Sequence, residues 1–394
     1  CESPSTYFVP NGRRCCALRR ADRAVTLTEK NSRPAAIRSK RPLPGLVDAR
    51  SSSNTFGVIS MQENRRSFLA STGSALALSL VGNALAASLS SFESRAAAGA
   101  ELAKRTKFID IHTHLGAFYH GQELTAELLV RFMDLHDVER ACVLPLVSPE
   151  SAPIPQPVTT ALAAHKQFPN RIVPFCVVDP RAVTAPGQRT GHVAGVKGLI
   201  ELLKRYQDAG CRGLGEHKTG LWFDAPQQMA LYEACDNVGL PILFHLDDIR
   251  NPDTPGLPRL ENVLKAFPKL PLIGHAAGFW ASISGDATME DFGRYPPVPK
   301  PVAAGGALDR LMAKYPNLYG DLSEPGGEKA IARDPQFGRE FIIRRADQLL
   351  FGTDVLMPAQ KIPQFELLAS LDLPADVQYK VFRGNALKLL KLNE

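Results

Sequence analysis

The chain has 394 residues, 44% of them hydrophobic and 22% charged, enough to bury a core of the size that one α/β barrel needs. Its formal net charge of +6 is concentrated at the start: residues 1–60 carry 11 Lys or Arg against 4 Asp or Glu, and the remaining chain sums to −1. The globular part is therefore not basic, which argues against a nucleic-acid role.

Residues 1–60 begin with Cys1, lack apolar periodicity and mix Arg, Pro and Ser without pattern. That composition suits disorder or a non-native upstream segment, with the native start placed at Met61 and a basic tail or transit peptide as the alternative. After Met61, Asn64-Arg65-Arg66-Ser67-Phe68-Leu69 precedes a mildly hydrophobic stretch at 70–87, and Ala84-Leu85-Ala86 offers a small-x-small cleavage site. This resembles a twin-arginine signal, which implies transient handling by the twin-arginine export machinery and a periplasmic or exported mature protein. Its start would fall between Ala87 and Gly99. The competing reading is a membrane-anchoring helix, for which the stretch is short and mild; no later stretch is long and apolar enough to span a bilayer. The expected plan is a leader (1–60), a signal and linker (61–99), and one catalytic domain (100–394).

From Lys107 onward apolar runs rich in β-branched residues recur at 108–111, 141–146, 172–178, 211–215, 241–244, 270–273, 318–322 and 348–351. Helix-like segments, such as 127–136, 227–238, 259–267 and 306–315, lie between them. Eight strands alternating with helices predict an α/β fold, a closed (β/α)8 TIM barrel. An open doubly wound sheet would normally show a Gly-rich loop after its first strand, and here that strand runs into His-Thr-His-Leu-Gly. Cys142, Cys176, Cys211 and Cys235 sit in apolar patterns without C-x-x-C spacing, so buried free thiols are expected.

Five residues fall at the C-terminal ends of these runs: His112 and His114 in FIDIHTH, His245 in PILFH, His275 in PLIGH and Asp354 in LLFGTD. Residues two apart on a strand face the same way, so His112 and His114 can chelate one ion at the barrel mouth, the end at which this fold builds its active sites. Alone, H-x-H is weak, His275 could be a core histidine and Asp354 a helix cap. Chance explains poorly all four motifs at strand ends, which favours a metal site.

With these residues in place, the chain from Phe108 to its end, including Phe382-Arg383-Gly384-Asn385-Ala386, resembles the amidohydrolase superfamily. The similarity is to its amidohydrolase-related branch of metal-dependent hydrolases, decarboxylases and hydratases of small carboxylated molecules. The resemblance implies that His112, His114 and His245 are metal ligands, that Asp354 is a ligand or general base, and that His275 polarises the substrate or shuttles a proton. Zinc is the default ion, with manganese and iron also suited. The fourth strand ends Gly215-Glu216-His217-Lys218. Glu216 and Lys218 share a face and His217 points away. The resemblance implies at this place a carboxylated Lys218 bridging two ions, with His245 and His275 on the second, or Glu216 bridging two ions or orienting a ligand from behind, while the plainest reading pairs Glu216 with Lys218 or Arg212 on the rim. One ion, with Glu216 at or beside it, is the favoured arrangement.

The leading function is a metal-dependent hydrolase acting on a lactone, ester or amide of a small molecule through metal-activated water. A decarboxylase or hydratase of a carboxylated aromatic or enol compound comes second, and a noncatalytic solute-binding protein a distant third. Trp222, Phe223, Phe279 and Trp280 are expected to flank the mouth and suit a ring-bearing substrate, with Asp248 beside them. Asp247, Asp248 and Arg250 follow His245, and Asp321, Ser323 and Glu324 follow the seventh strand. That excess of acids weighs against a polyanionic substrate. Residues 282–305, with the PPVPKP segment, are too long for a simple connection and read as a lid or a homo-oligomer contact.

Overall fold

A computed structural model describes residues 107–118, 121–152, 154–184 and 195–393. The leader, the twin-arginine-like segment and its cleavage site lie outside the described residues. The eight strands are β1 (Phe108–Thr113), β2 (Val138–Val143), β3 (Ile172–Pro174), β4 (Leu214–His217), β5 (Ile242–His245), β6 (Leu272–His275), β7 (Leu318–Asp321) and β8 (Leu349–Leu350). Every pairing is parallel, in a three-stranded run β1-β2-β3 and a five-stranded run from β4 to β8.

Two seams join these runs into a ring. Parallel bridges link Cys176 to Leu214 and Thr113 to Val355. At the second seam Ile111 N donates to Phe351 O (3.1 Å), and Asp354 N donates to His112 O (2.8 Å). The fold is a (β/α)8 barrel, as expected, and among the described residues closure leaves no free sheet edge.

Side-chain alternation sorts the strands into two apolar layers. Ala141, Ile242, Phe244, Leu272, Leu318 and Leu349 face outward and join helix residues such as Leu129, Leu203 and Leu231 in the main core. Ile109, Val173, Phe175, Leu243, Ile273 and Leu350 face the axis in a second cluster, which Ala386, Leu387 and Leu390 of the C-terminal segment cover at the barrel's base. The closing motif is thus structural: Phe382 packs on Phe108 (4.9 Å between ring centroids), and Asn385 Nδ2 donates to Leu349 O (2.8 Å). The opposite end is left open for chemistry.

Two strands depart from strict alternation. The β1 register shifts between Asp110 and Thr113, and the β4 register between Leu214 and His217. Such irregularities re-aim side chains. They let His112 on β1 and Glu216 on β4 face the mouth although Ile109 and Ile111 already face the axis. The β2 strand starts three residues before the apolar run that marks it, because Val138 and Arg140 pair with Phe108 and Ile109 while Glu139 and Arg140 do not read as apolar. Cys142, Cys176, Cys211 and Cys235 are buried and free. Among the described residues no helix is long and apolar enough to cross a membrane.

Candidate metal centre

His112 and His114 meet tip to tip: their Nε2 atoms are 3.1 Å apart. The rings are fixed from behind. His112 Nδ1 lies 2.6 Å from Asp321 Oδ2, and His114 Nδ1 lies 2.8 Å from the Leu144 carbonyl oxygen. A ring that donates through Nδ1 to an oxygen presents a bare lone pair at Nε2. With both rings neutral, two lone pairs therefore converge, and Asp354 Oδ1 joins them at 3.2 Å from His114 Nε2 and 3.6 Å from His112 Nε2. Asp354 Oδ1 is buried without a hydrogen-bond partner.

These edges suit a cation. Ligand atoms of a tetrahedral zinc site, each about 2.0–2.1 Å from the ion, are about 3.3 Å apart. Glu216 Oε2 lies 3.3 Å from His114 Nε2 and 3.6 Å from His112 Nε2, on the same cluster. Asp354 itself adopts a left-handed backbone (φ 55°), as does Glu324 (φ 60°), conformations that place functional side chains at some cost in strain.

Charge points the same way. Glu216, Asp321, Glu324 and Asp354 crowd this end of the barrel, and among the described residues Lys218 is the permanent cation in direct contact with them, 2.7 Å from Glu216 Oε2. Burial by itself would lower the His112 pKa, yet the Asp354 and Asp321 carboxylates hold it well above the ordinary value. Burial would raise Asp354, and the neighbouring imidazoles of His112 and His114 hold it below the usual carboxylate range. The cluster is therefore short of positive charge, which a divalent cation would supply.

Not every expected ligand takes part. His245 has both ring nitrogens engaged, Nδ1 by Glu216 Oε1 (2.8 Å) and Nε2 by Asp247 Oδ2 (2.9 Å), so it orients Glu216 rather than facing the pair of histidines. Lys218 is the ion partner of Glu216. His217 points away, as alternation predicts, and hydrogen-bonds Gln228 (2.7 Å). His275 belongs to the cluster: its ring centroid lies 4.3 Å from that of His112, and its Nδ1 lies 3.1 Å from Asp321 Oδ2 and 3.0 Å from Ser323 Oγ.

The aromatic wall expected at the mouth is corrected by the structure. Phe223, Phe279 and Trp280 are fully buried in the main core, where Trp280 donates Nε1–H to the Asp321 carbonyl (2.9 Å). Gly274 makes this possible, since a Cβ there would lie 2.0 Å from the Phe279 ring. Trp222 is 47% exposed and stacks under Arg259 (4.3 Å), and Asp248 is exposed beside Gly293. The pocket that adjoins Asp354 is a different one, of about 420 Å³, lined by Tyr295, Glu324, Thr353, Leu356, Met357 and Gln360 among others.

Sequence reasoning missed Asp110 and read Asp321 and Glu324 only as loop acids. Asp110 is fully buried, accepts from His112 N (3.0 Å), Thr353 N (3.0 Å) and Thr353 Oγ1 (2.6 Å), and so ties β1 to the Asp354 turn. Burial pushes its carboxyl up to about 7. Asp321 ends β7 by the same strand-end rule that singled out the histidines, which is the signal that could have found it.

A closed barrel with imidazoles and carboxylates gathered at the C-terminal rim of its strands places the protein among barrel enzymes that assemble their chemistry at strand ends. The chain belongs to the amidohydrolase family, whose model matches residues 109–392. Members of that family are metal-dependent hydrolases or decarboxylases. No curated protein matches the chain. Among solved structures, a TIM-barrel protein of Bordetella bronchiseptica is similar at 18% identity and a TM-score of 0.49, over 73% of this chain and 99% of that one. A probable 2-pyrone-4,6-dicarboxylic acid hydrolase of Acinetobacter baumannii is similar at 12% identity and a TM-score of 0.45, over 73% and 100%. A 5-carboxyvanillate decarboxylase of Novosphingobium aromaticivorans with bound manganese is similar at 14% identity and a TM-score of 0.46, over 73% and 97%.

Proposed function

We propose that this protein is a metal-dependent hydrolase that opens a C–O or C–N bond, as in a lactone, ester or amide, of a small molecule. His112, His114 and Asp354 would hold the divalent ion, with zinc the first choice and Glu216 beside it. The observation that carries the reading is the triangle of His112 Nε2, His114 Nε2 and Asp354 Oδ1, with edges of 3.1, 3.2 and 3.6 Å. A cation bound there would supply Lewis acidity and would acidify a water toward neutrality.

The chain's own residues do the rest. Asp354, held ionised by its imidazole neighbours, is the proton acceptor, and it opens directly onto the 420 Å³ pocket where the substrate would sit. Asp321 and Ser323 keep the ring of His275 oriented. Glu216, ion-paired with Lys218 and bonded to His245, stays charged at the back of the cluster, since burial would raise it but Lys218 and three imidazoles hold it well below the ordinary carboxylate value. The twin-arginine-like segment at 64–69 would export the enzyme already folded and loaded.

One observation favours a second reading. The Phe118 ring lies 5.5 Å from that of His114, an aromatic surface beside the ligands that suits decarboxylation or hydration of a carboxylated aromatic or enol compound. The full chain, loaded with zinc or manganese, should turn over members of a panel of lactones, esters and amides. Carbon dioxide release from hydroxybenzoates without any hydrolytic turnover would overturn the hydrolase reading in favour of the second.

A further inference from the structure

The ends of β4 and β5 are joined by one side chain from the loop that follows β5. Asn251 is fully buried, and its backbone takes the left-handed conformation (φ 46°) that asparagine adopts more readily than most residues. Its Nδ2 donates one hydrogen to the carbonyl oxygen of His217 (2.5 Å) and the other to that of His245 (2.8 Å), the residues at which β4 and β5 end. Its Oδ1 accepts from Thr219 Oγ1 (2.9 Å) and Gln228 Nε2 (2.8 Å), and its own N–H donates to the Thr219 carbonyl (2.6 Å). Both donors and the acceptor of the amide are thus used, away from water. Aspartate has the same shape but lacks both donors, and would set a carboxylate against two carbonyl oxygens.

We propose that Asn251 is a positioning residue of the metal centre: by tying the two strand ends together it sets the distance between the Glu216 carboxylate and the His245 ring. Glu216 immediately precedes His217, and its Oε1 meets His245 Nδ1 at 2.8 Å. With Oε1 held there, Oε2 faces His114 Nε2 (3.3 Å) and His112 Nε2 (3.6 Å). The inference rests on the reading that His112, His114 and Asp354 hold an ion with Glu216 beside it. Regular strand pairing does not do this work alone, because the β4 register shifts between Leu214 and His217, the stretch that carries Glu216. Asn251 supplies the fixed geometry where the ladder is irregular. Without the tie, Glu216 would follow Lys218, its ion partner at 2.7 Å, and leave the imidazoles.

The test compares manganese affinity with fold stability in the full chain, stripped with chelator and titrated with manganese, each variant being checked by circular dichroism and urea unfolding. Asn251→Gly keeps the left-handed backbone and removes the tie, and Asn251→Asp keeps the shape and removes both donors. Each is expected to weaken manganese binding by the folded protein about 10-fold or more. Thr219→Val takes one hydroxyl out of the same buried network but leaves both strand-end carbonyls held, so it should lower stability and bind manganese as the wild type does. A residue that only stabilises the barrel would lower the unfolding free energy and leave the affinity of the folded protein unchanged. That result, or an equal loss of affinity in Thr219→Val, would overturn the inference. Manganese binding that His112→Ala abolishes and both Asn251 variants retain would overturn the inference and leave the centre intact. A wild type that binds no manganese would overturn both.

Discussion

Asp321 serves two histidines with one oxygen. Its Oδ2 lies 2.6 Å from His112 Nδ1 and 3.1 Å from His275 Nδ1 and accepts the Ser323 hydroxyl at 2.7 Å. Burial would raise its carboxyl, and the two imidazoles hold it well below the usual range. A carboxylate behind a ligating imidazole fixes the tautomer and the ring plane and makes the ligand more basic. Asp321→Asn keeps the shape and removes the charge, so it should weaken metal binding by about 10–100-fold in a chelator competition titration. Unchanged affinity would remove Asp321 from the site. At this scale the residues of the cluster were largely legible, because His112, His114, His275 and Asp354 all follow apolar runs; His245 follows one too, yet its ring lies between Glu216 and Asp247. The pocket was not: an aromatic residue after a strand can turn outward into the helix layer, as Phe279 does through the space that Gly274 leaves.

Between elements, what decides the site is how β1 and β4 depart from regular pairing. The period-two rule paired Glu216 with Lys218 and sent His217 away, as the structure has it, but it could not choose between the acid and the lysine as a ligand. That choice depends on the register shift in β4 and on the 2.7 Å contact between the two side chains, neither of which a composition pattern encodes. His217, on the outer face against Gln228, carries a measurable consequence. Burial pushes its pKa down from 6.5 to about 4, so between those values the unfolded chain binds a proton that the folded chain refuses. Its contribution is whole above about pH 6.5 and is lost as pH falls toward 4. From pH 7 to pH 5 the unfolding free energy of the wild type should drop by roughly 2 kcal/mol more than that of His217→Gln. Urea unfolding of both proteins at the two pH values measures this, and an equal drop would contradict it.

For the whole molecule, eight short runs were enough to read a closed barrel, because each closing step follows from parallel strands separated by helices. Less legible were the two ends. The base is filled by Ala386, Leu387 and Leu390, so the closing motif that looked like a family signature also works as a plug. At the mouth, Tyr295 from the long 282–305 segment reaches Glu324, a contact across 29 residues that no local pattern announces. That contact brings Tyr295 of the segment onto the candidate centre.

The central claim is that the converging imidazoles and carboxylates are a metal centre, and anomalous diffraction at the zinc or manganese edge, on crystals of the metal-loaded full chain, tests it most directly. The account predicts a peak at about 2.0–2.2 Å from His112 Nε2, His114 Nε2 and Asp354 Oδ1. No peak between those atoms, or one only beside His245 and Asp247, would contradict it.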